Sequence, residues 1–509
     1  MKVELELKLA LSARELKRLR RDPLIRSLAY KRASSKRLHS VYFDTPALDL
    51  RRHGMALRVR TIGSKHIQTL KVPGSGASGL QDNREYEADL ATELPDVSKI
   101  DDGQLRSLFE EQGWVDALKP LFITAFNRTT VPLKFEESEV ELALDQGEIF
   151  AGARCRPICE AELELVSGSS LRLYELASAL HKRFAFRLET RSKAARGYAL
   201  HQNLPPKPVK ARPTAIAQEM TVAEGFAAAA RNCLQQMRAN EAVVLAGENE
   251  ALDPEGIHQL RVGVRRLRAL VTVFKGVMAE HPFEILRSEL SWLQTALGPA
   301  REWDVFVEET LEPLCQRLPG DPDLAAMTEA AGQRRIEANR AAQQALASTR
   351  YTALILTLER FLNSGAWAAG HGGEASPDDR IGKFTASALQ RRAAKLHKLT
   401  RKWKTLPEAE LHAVRILGKK LRYTIEFFQG IYESDDVRTH LEVIKRIQDC
   451  LGSLNDAVTN TALLEDLEDT ASQQALASVK GWQAACIERD LADFREDLKA
   501  YEKCKAYWT

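Results

Sequence analysis

The N-terminal part of the chain is dominated by short segments in which polar and apolar residues alternate. Between Val3 and Leu9 the polar residues Glu4, Glu6 and Lys8 occupy every second position. Similar segments recur at residues 57–60, 160–164 and 187–193. Side chains of a strand point to opposite faces with a period of two, and Gly, Pro and Asp separate the segments. The pattern predicts antiparallel strands with some helix up to about Leu200.

The rest of the chain has a helical pattern. From about Thr214 to the end, Ala, Leu, Arg, Glu and Gln recur with a period near 3.6, which predicts an all-α region. Residues 205–213 contain four prolines and favour extended backbone, as in a semi-rigid linker. A segment rich in Gly and Ala, residues 364–379, divides the helical region in two. We predict an α+β domain at residues 1–203, a linker at 204–213 and a helical bundle at 214–509.

Composition excludes few classes of function. The 73 Lys and Arg residues nearly balance the 70 Asp and Glu residues, so only local clusters of charge are informative about partners. The seven cysteines lack paired zinc-ligand spacing, which favours reduced thiols. Charged residues interrupt the N-terminus, and no uncharged stretch is long enough to span a bilayer, so we expect a cytoplasmic protein.

Charged residues of the N-terminal region gather by sign on single strand faces. Glu160, Glu162 and Glu164 share one face, and Arg58 and Arg60 share another. A single strand with this pattern is usually half-buried, with its charged face in water. Several rows of like charge repel unless opposite charges lie among them. Together they predict a closed barrel with a hydrated, charged interior, which suits a metal-bound polyphosphate.

The helical region contains an internal repeat of basic residues. The first copy reads His258, Arg261, Arg265, Arg266 and Arg268, and the second reads, at identical offsets, His412, Arg415, Lys419, Lys420 and Arg422. Leu-Gly pairs follow in both copies, at 297–298 and 451–452. No acidic residue lies within 258–275 or 412–423, and like charges at this spacing destabilise a helix unless an anion compensates. The repeat therefore predicts two anion-binding helices, with the histidines as phosphate donors or helix-end hydrogen-bonding groups.

This repeat resembles the conserved histidine α-helical domain, CHAD, over residues 214–509. The resemblance implies a bundle of two pseudo-symmetric helical halves that binds inorganic polyphosphate, in some members on polyphosphate granules. The expected polyphosphate-binding residues are His258, Arg261, Arg265, Arg268, His412, Arg415, Lys419 and Arg422. Glu302 departs from the family pattern, where Asp is more usual, but keeps the charge.

The N-terminal region resembles the CYTH family, the triphosphate tunnel metalloenzymes. Its hallmark is Glu4-x-Glu6-x-Lys8. Further matches are Tyr42-Phe43-Asp44-Thr45, Leu57-Arg58-x-Arg60, Thr69-Leu70-Lys71, Glu85-Tyr86-Glu87, Arg128, Asp145-x-Gly147, the Glu160–Glu164 row and Ser192-Lys193-x2-Arg196-Gly197-Tyr198. The resemblance implies an antiparallel β-barrel tunnel with flanking helices. A CYTH domain followed by CHAD looks most like the bacterial inorganic triphosphatases.

The CYTH resemblance also implies residue roles. Glu4, Glu6, Glu162 and Glu164 would hold Mg²⁺ or Mn²⁺, with Glu160, Glu85, Glu87 and Asp145 as weaker candidates. The substrate phosphates would bind Arg58, Arg60, Lys71, Arg128 and Lys193. Lys8 would orient Glu4 and Glu6 or touch the substrate, so these three residues are the catalytic candidates.

Three alternatives stay open at this point. The barrel would use the same residues on an organic substrate, either in thiamine triphosphate hydrolysis or in the cyclisation of ATP. The protein would otherwise be a non-catalytic polyphosphate-binding protein, although the intact Glu4, Glu6 and Lys8 argue against a decayed active site. Nucleic acid is a weaker third ligand, because few aromatic residues accompany the basic rows.

One glycine-rich segment matches a nucleotide-binding pattern by spacing alone. Residues 74–79 have the G-x-G-x-x-G spacing, but the residues that follow open no helix and lack the Lys and Ser or Thr of a P-loop. We predict a hairpin loop there.

Overall fold

The structure of the protein is a computed structural model. It describes residues 2–73, 81–246, 253–368, 375–401, 408–432 and 435–508. Within these ranges the side chains of residues 2–4, 81–83, 408–410, 453–455, 491–493 and 495 are not described. The predicted loop at residues 74–79 and the side chain of Glu4 thus lie outside the described part of the chain. The chain forms two compact units, one of residues 1–206 with 347–364 and the other of residues 207–346 with 365–509.

The described part of the first unit contains nine strands in one antiparallel sheet. They are β1 (Lys2–Ala10), β2 (Ser34–Asp44), β3 (Ala56–Ile62), β4 (Lys65–Pro73), β5 (Gln81–Leu90), β6 (Lys119–Phe135), β7 (Ser138–Ala151), β8 (Arg154–Ser167) and β9 (Arg187–Glu189). Their order is β5-β4-β3-β2-β6-β7-β8-β1-β9, and β1 also pairs with β5. This last pairing closes eight strands into a barrel, with β9 added beside β1.

The barrel carries helices on its outside and at one end. In chain order these are α1 (Ala13–Leu19), α2 (Pro23–Leu28), α3 (Asp49–Arg52), α4 (Gly103–Glu111), α5 (Trp114–Ala117), α6 (Leu171–His181) and α7 (Lys193–Gln202). One apolar core lies between strands β2 to β4 and helices α4 and α5, where Phe109 and Trp114 pack near Leu57 and Leu70. The outward apolar residues of β2 to β4 are thus buried against α4 and α5. The opposite face, inside the barrel, carries charged residues together with a second apolar cluster around Phe122 and Phe126.

A helix from the second half of the sequence belongs to the first unit. Helix α14 (Thr349–Ser364) packs against α6 and β9, where Thr352 Oγ1 donates to the Phe186 carbonyl at 3.1 Å. The His181 imidazole Nε2 lies 2.8 Å from the Thr349 carbonyl. The helical period of the sequence predicts this helix. The period does not indicate which of the two units the apolar face of the helix packs against. The domain division at 204–213 stays a prediction.

The second unit is helical. Besides short 3₁₀ and π-helical turns, its described helices are α8 (Val222–Leu245), α9 (Pro254–Val273), α10 (Glu280–Ala296), α11 (Gly298–Val305), α12 (Glu312–Arg317), α13 (Pro322–Ala347), α15 (Ile381–Thr400), α16 (Glu408–Phe428), α17 (Asp435–Glu465) and α18 (Gln473–Glu502). None of the described helices is long and apolar enough to cross a membrane. The predicted fold class is confirmed in both halves of the chain.

The two repeat copies form corresponding helices. Helix α9 carries the first copy and packs on α8, and α16 carries the second copy and packs on α15. α9 and α16 also pack on each other. Aromatic rings fill the space between these helices, with Phe274 against Phe384 at a centroid distance of 4.6 Å and against Phe226 at 5.1 Å. The basic residues of both copies are therefore carried on helices that share one core.

Candidate functional site

The strand register assigns the charged residues of the barrel to its interior. Residues directly opposite each other on paired antiparallel strands share a face of the sheet. Glu6 lies opposite Glu164, which lies opposite Glu141, so these three carboxylates form one row across β1, β8 and β7. Lys8 lies opposite Glu162, and Glu160 lies opposite Asp145, which lies opposite Arg128. Glu4 occupies the same face by backbone register.

The carboxylates of β1, β7 and β8 form an acidic wall of Glu6, Glu141, Asp145, Glu160, Glu162 and Glu164. Three cations neutralise its buried carboxylates. Arg128 binds Asp145 with both ends of its guanidinium, at 2.7 and 2.6 Å, and also pairs with Glu162. The Lys193 ammonium lies 2.7 Å from Asp145 and 2.8 Å from Glu162, and it also pairs with Glu160. Arg196 binds Glu160 at 2.5 Å. Asp145, Glu160 and Glu162 are buried, and charges taken out of water need such partners.

Electrostatic interactions keep Glu162, Arg128 and Lys193 charged. Burial alone would raise the pKa of Glu162, but Lys193, Arg128 and Lys8 hold it well below its usual value. Burial opposes the charge of Arg128, but Glu162 and Asp145 raise its pKa well above the usual value. The pKa of Lys193 is likewise raised, because Glu162, Asp145 and Glu160 outweigh the effect of burial. Glu162 is therefore ionised at neutral pH.

A basic wall lies on the other side of the barrel. In the closed sheet, β3 is four strands away from β8 in either direction, so Arg58 and Arg60 on β3 lie across the interior from the Glu160–Glu164 row. Arg60 Nε donates to Ser40 Oγ at 3.1 Å. Lys71 on β4 faces the same interior and pairs with Glu85 on β5. The barrel thus has an anionic side and a cationic side.

The positive charges of the basic wall are close enough together to shift the pKa values of neighbouring groups. Burial, followed by repulsion from Arg58, lowers the pKa of Arg60 to about 9. Burial would raise the pKa of Tyr42, but Arg58, Arg60 and Lys71 outweigh it and lower the pKa. An anion bound here would relieve the repulsion, because guanidinium and ammonium groups donate to phosphate oxygens.

Helix α7 closes one end of the interior. Ser192 caps it by accepting from the Ala195 N–H at 3.0 Å, which places Lys193 and Arg196 on the side that faces the carboxylates. At Gly197 a side chain would clash, because a Cβ would lie 2.1 Å from the Phe122 ring. Tyr198 donates to Asp44 at 2.9 Å, and Asp44 also accepts from backbone N–H groups, including those of residues 45, 50 and 51.

The donors of the barrel fit a hard divalent cation. Asp145, Glu160 and Glu162 place oxygen atoms within 4.8 Å of one another, and Mg²⁺ and Mn²⁺ prefer such ligands. Arg128, Lys193 and Arg196 pair with this trio, and Lys8 pairs with Glu6. Glu6, Glu164 and Glu141 form a second row of carboxylates on the same interior face.

The barrel brings the sequence-predicted residues onto one interior face. Glu6, Lys8, Arg58, Arg60, Lys71, Glu85, Glu87, Arg128, Asp145, Glu160, Glu162 and Glu164 share this face by register, and Lys193 reaches it from α7. Sequence reasoning gave no role to Arg196, Tyr42 or Asp44. All three lie within the CYTH motifs, beside residues that have an implied role. This position in the sequence was the signal that could have identified them.

The helical unit has a cavity of about 790 Å³ that both repeat copies line. His258, Arg261 and Arg265 come from the first copy, and Arg415, Lys419 and Arg422 from the second. The lining also contains further charged residues: Arg301, Glu302, Glu309, Asp449, Asp456, Arg489 and Asp490. Arg301 binds Glu309 at 3.1 Å.

Crowding of cations perturbs the basic side of this cavity. Burial lowers the pKa of Lys419 to about 7, and repulsion from Arg415, Arg265 and Arg422 adds to the effect. Burial, followed by Arg301, lowers the pKa of His258 to about 4, so this imidazole is neutral at pH 7. An anionic ligand would stabilise the charged forms of these side chains.

Arg261 has a structural contact as well. Its guanidinium Nη1 donates to the Leu297 carbonyl at the end of α10 at 2.6 Å. A Cβ at Gly298 would lie 3.3 Å from the same nitrogen, so the absence of a side chain there leaves room for Arg261. Burial, with repulsion from Arg265, lowers the pKa of Arg261 to about 10.

Two predicted residues of the repeat are not among the described residues that line this cavity. Arg268 and His412 lie outside the lining, and His412 is exposed. Lining residues that sequence reasoning did not select include Arg489 and Trp482 on α18. Helix α18 lies outside the repeated segments, so no offset pointed to it.

Comparisons with known proteins agree with this geometry. Residues 2–198 match the CYTH domain and residues 228–465 match the CHAD domain. A curated relative from Haemophilus influenzae, an inorganic triphosphatase, is 37% identical over 166 residues, which is 32% of this chain and 46% of the relative. The match therefore spans about half the length of that relative. The crystal structure of the CHAD domain from the plant Ricinus communis is 31% identical, covers 59% of this chain and 98% of that one, and has a TM-score of 0.50.

A closed antiparallel barrel with a charged interior, followed by a helical unit with two related basic helices, defines the class of this protein. The chain combines an N-terminal CYTH domain with a CHAD domain, as the sequence resemblance predicted.

Proposed function

We propose that the barrel is a metal-dependent inorganic triphosphatase, which hydrolyses triphosphate to diphosphate and phosphate. The observation that carries this proposal is the pairing of an acidic wall on β1, β7 and β8 with the basic residues Arg58 and Arg60 across the interior. A chain of phosphates needs cationic donors, and its metal needs carboxylates on the other side. The similarity to the Haemophilus triphosphatase supports the inorganic substrate.

The residues of the barrel have separable tasks in this reaction. Arg58, Arg60 and Lys71 would hold phosphate oxygens and so orient the chain along the interior. Lys8 pairs with Glu6 and also stabilises the charge of Glu162, which fixes both carboxylates as acceptors. We assign the metal to Glu4, Glu6, Glu162 and Glu164, with Mg²⁺ or Mn²⁺ as the ion.

The reaction is the hydrolysis of a phosphoanhydride bond. Water attacks the terminal phosphorus, the bond to the bridging oxygen breaks, and diphosphate leaves with the electron pair. A divalent cation, when bound, would stabilise the negative charge that spreads over the phosphate oxygens. The fixed cations of the basic wall act on the same charge from the opposite side.

Phosphate release by the purified full chain tests the proposal. Triphosphate, ATP, thiamine triphosphate and long-chain polyphosphate would be compared with Mg²⁺, with Mn²⁺ and with a chelator. We expect triphosphate to react fastest and the chelator to stop release. Arg58→Ala should lower the rate strongly, whereas Arg37→Ala, at an exposed site on the outer face of β2, should not. Preference for an organic triphosphate, or no metal-dependent release, would contradict the proposal.

We also propose that the helical unit binds inorganic polyphosphate in its 790 Å³ cavity, and the convergence of both repeat copies on this cavity carries the proposal. Binding of polyphosphate by the full chain should weaken steeply with salt, because neutralising a polyanion releases its counterions. The double variant Arg265→Ala, Arg415→Ala should bind weakly and keep the triphosphatase rate. Unchanged affinity would show that these residues are only solvated helix surface.

A further inference from the structure

A second basic cavity lies in the helical unit, outside the 790 Å³ cavity. It has a volume of about 300 Å³ and lies where α9, α15 and α16 come together. Arg391, Arg392 and Lys395 from α15 and Lys420 from α16 line it. Its described lining residues include no carboxylate, whereas the larger cavity contains Glu302, Glu309, Asp449, Asp456 and Asp490.

Helix α15 itself is free of acidic residues. From Arg380 to Arg401 the sequence contains several Lys and Arg residues and no Asp or Glu. A helix of this length on a protein surface usually interleaves both signs, since like charges three or four positions apart destabilise it. The charge of α15 is therefore not compensated along its own length.

The repeat provides an internal comparison for these cations. The two copies are offset by 154 residues, as from His258 to His412, and this offset relates α15 to α8. Arg392 then corresponds to Arg238, and Lys395 corresponds to Glu241. In the first copy, Arg238 and Glu241 form an ion pair at 3.8 Å. In the second copy, the two residues at this spacing, Arg392 and Lys395, are both cations.

A further correspondence also differs between the two copies. Lys420 corresponds to Arg266, whose guanidinium donates to Gln236 and Asn232 at 2.8 and 2.9 Å within the core. The position of Asn232 is occupied by Ala386 in the second copy, so Lys420 lacks that partner.

Arg268 shows the reverse correspondence. It matches Arg422, which pairs with Glu426 at 3.3 Å, but the position of that glutamate is Thr272 in the first copy. Thr272 instead donates to the carbonyl of Arg268. At each of these places, an intramolecular partner present in one copy is missing from the other.

The cations around this cavity repel one another. Burial, followed by repulsion from Arg392, Lys395 and Arg268, lowers the pKa of Lys420. Burial, followed by Arg391, lowers the pKa of Arg392 to about 10. Arg268 lies outside the lining itself, but it is one helical turn before Thr272, which lines the cavity and donates to the Arg268 carbonyl at 2.9 Å. Arg268, Arg392 and Lys420 each lack an intramolecular partner that the corresponding residue of the other copy has.

We propose that Arg268, Arg392, Lys395 and Lys420 form a second anion site, which binds a segment of inorganic polyphosphate separately from the larger cavity. The proposal rests on the proposed polyphosphate binding only for the identity of the anion. Arg and Lys donate to phosphate oxygens on any phosphate chain. Among the described lining residues, the apolar ones are aliphatic apart from Phe384, which is buried, so this part of the lining offers no exposed ring for stacking a base. An inorganic chain therefore fits better than single-stranded nucleic acid.

A charge reversal that restores the first-copy pair tests the site. Lys395→Glu gives Arg392 the same i,i+3 partner that Arg238 has, so it should remove the unpaired charge and preserve the helix. Lys383→Glu is the matched control, because it makes the same charge change at an exposed position of α15 outside the lining. Both changes would be made in the full wild-type chain and in the Arg265→Ala, Arg415→Ala background. The probes are inorganic polyphosphate of defined length and single-stranded DNA.

In the background variant, we expect Lys395→Glu to weaken polyphosphate binding about tenfold and Lys383→Glu to weaken it much less. Equal effects of the two changes would show general repulsion and overturn the site. Complete loss of binding in the background variant alone would also overturn it. Stronger Lys395-dependent binding of DNA than of polyphosphate would overturn the choice of ligand.

These outcomes separate the second site from the proposed function of the larger cavity. If Arg265→Ala, Arg415→Ala changes nothing while Lys395→Glu still weakens binding, the larger cavity fails as the polyphosphate site and the second site stands.

Discussion

Arg128 and Asp145 lie directly opposite each other on β6 and β7 and form a two-point ion pair, with nitrogen to oxygen distances of 2.7 and 2.6 Å. Asp145 is fully buried, and Lys193 binds its second oxygen at 2.7 Å. The sequence resemblance gave Arg128 a role in binding phosphate. In the structure the same side chain also holds the acidic wall together, so its loss would affect both the fold and the substrate.

Removal of Asp145 tests the structural side of this pair. Asp145→Ala leaves Arg128 and Lys193 with one buried counter-charge fewer, and breaking a buried ion pair costs about 3 to 5 kcal/mol. The free energy of unfolding from denaturant titration should fall by about that amount. Glu110→Ala, at an exposed position on α4, should change it by less than about 0.5 kcal/mol. An equal effect of both changes would mean that the pair contributes little to stability.

The metal assignment is tested at Glu6, whose carboxylate shares a row with Glu164 and Glu141. Glu6→Gln keeps the shape of the side chain but removes its charge, so metal-dependent release of phosphate should be lost while the fold is kept. The measurement is the rate at limiting Mg²⁺ or Mn²⁺, with circular dichroism as a check of folding. Glu148→Gln, at an exposed site on the outer face of β7, is the control. A normal rate for Glu6→Gln at limiting metal would exclude Glu6 as a ligand.

A substitution on helix α7 tests whether the positions of Lys193 and Arg196 matter for activity. Gly197→Ala would place a methyl group 2.1 Å from the Phe122 ring, and overpacking of this kind costs about 1 to 3 kcal/mol. Because Lys193 and Arg196 are on the same helix, we expect both stability and the rate of triphosphate hydrolysis to fall. Gly332→Ala on α13 is the control, since no atom lies within 4 Å of its added Cβ. Full activity in Gly197→Ala would show that α7 can move without consequence.

Local patterns in the sequence predict the elements and most of the charged interior. The alternation of Glu4, Glu6 and Lys8 predicts a strand with one polar face, and the structure has that strand as β1. The pattern could not give the register, because alternation only fixes which face a residue occupies. That Glu6 lies opposite Glu164 depends on which strands pair. The docking of α14 on α6 is non-local in the same way.

Identical offsets also do not guarantee identical environments. His258 and His412 correspond in the repeat, yet His258 lines the larger cavity and His412 is exposed outside its lining. The cations of α15 were not selected from the sequence, because the repeat was read from its histidines and α15 lies before the second one. The acid-free composition of α15 was the signal that would have found them.

The pH dependence of polyphosphate binding is expected to come from Lys419. Burial and the neighbouring Arg415, Arg265 and Arg422 lower the pKa of this lysine to about 7 in the free protein, and Asp456 opposes them. Above that pH, the amine is mostly neutral and contributes no charge to the bound chain. Because binding to phosphate favours the protonated amine, affinity should fall by up to about tenfold per pH unit as the pH rises beyond 7.

Lys419→Arg separates this effect from the titration of the polyphosphate itself, because a guanidinium stays protonated throughout this range. The affinity of the full chain would be measured between about pH 6 and pH 9 at constant ionic strength. We expect the wild type to lose affinity with rising pH and the variant to lose much less. Without ligand, the stability of the wild type should instead rise over the same range, because the unfolded chain keeps Lys419 protonated to a higher pH than the folded chain does. Parallel affinity profiles for the two proteins would show that Lys419 is not the titrating group.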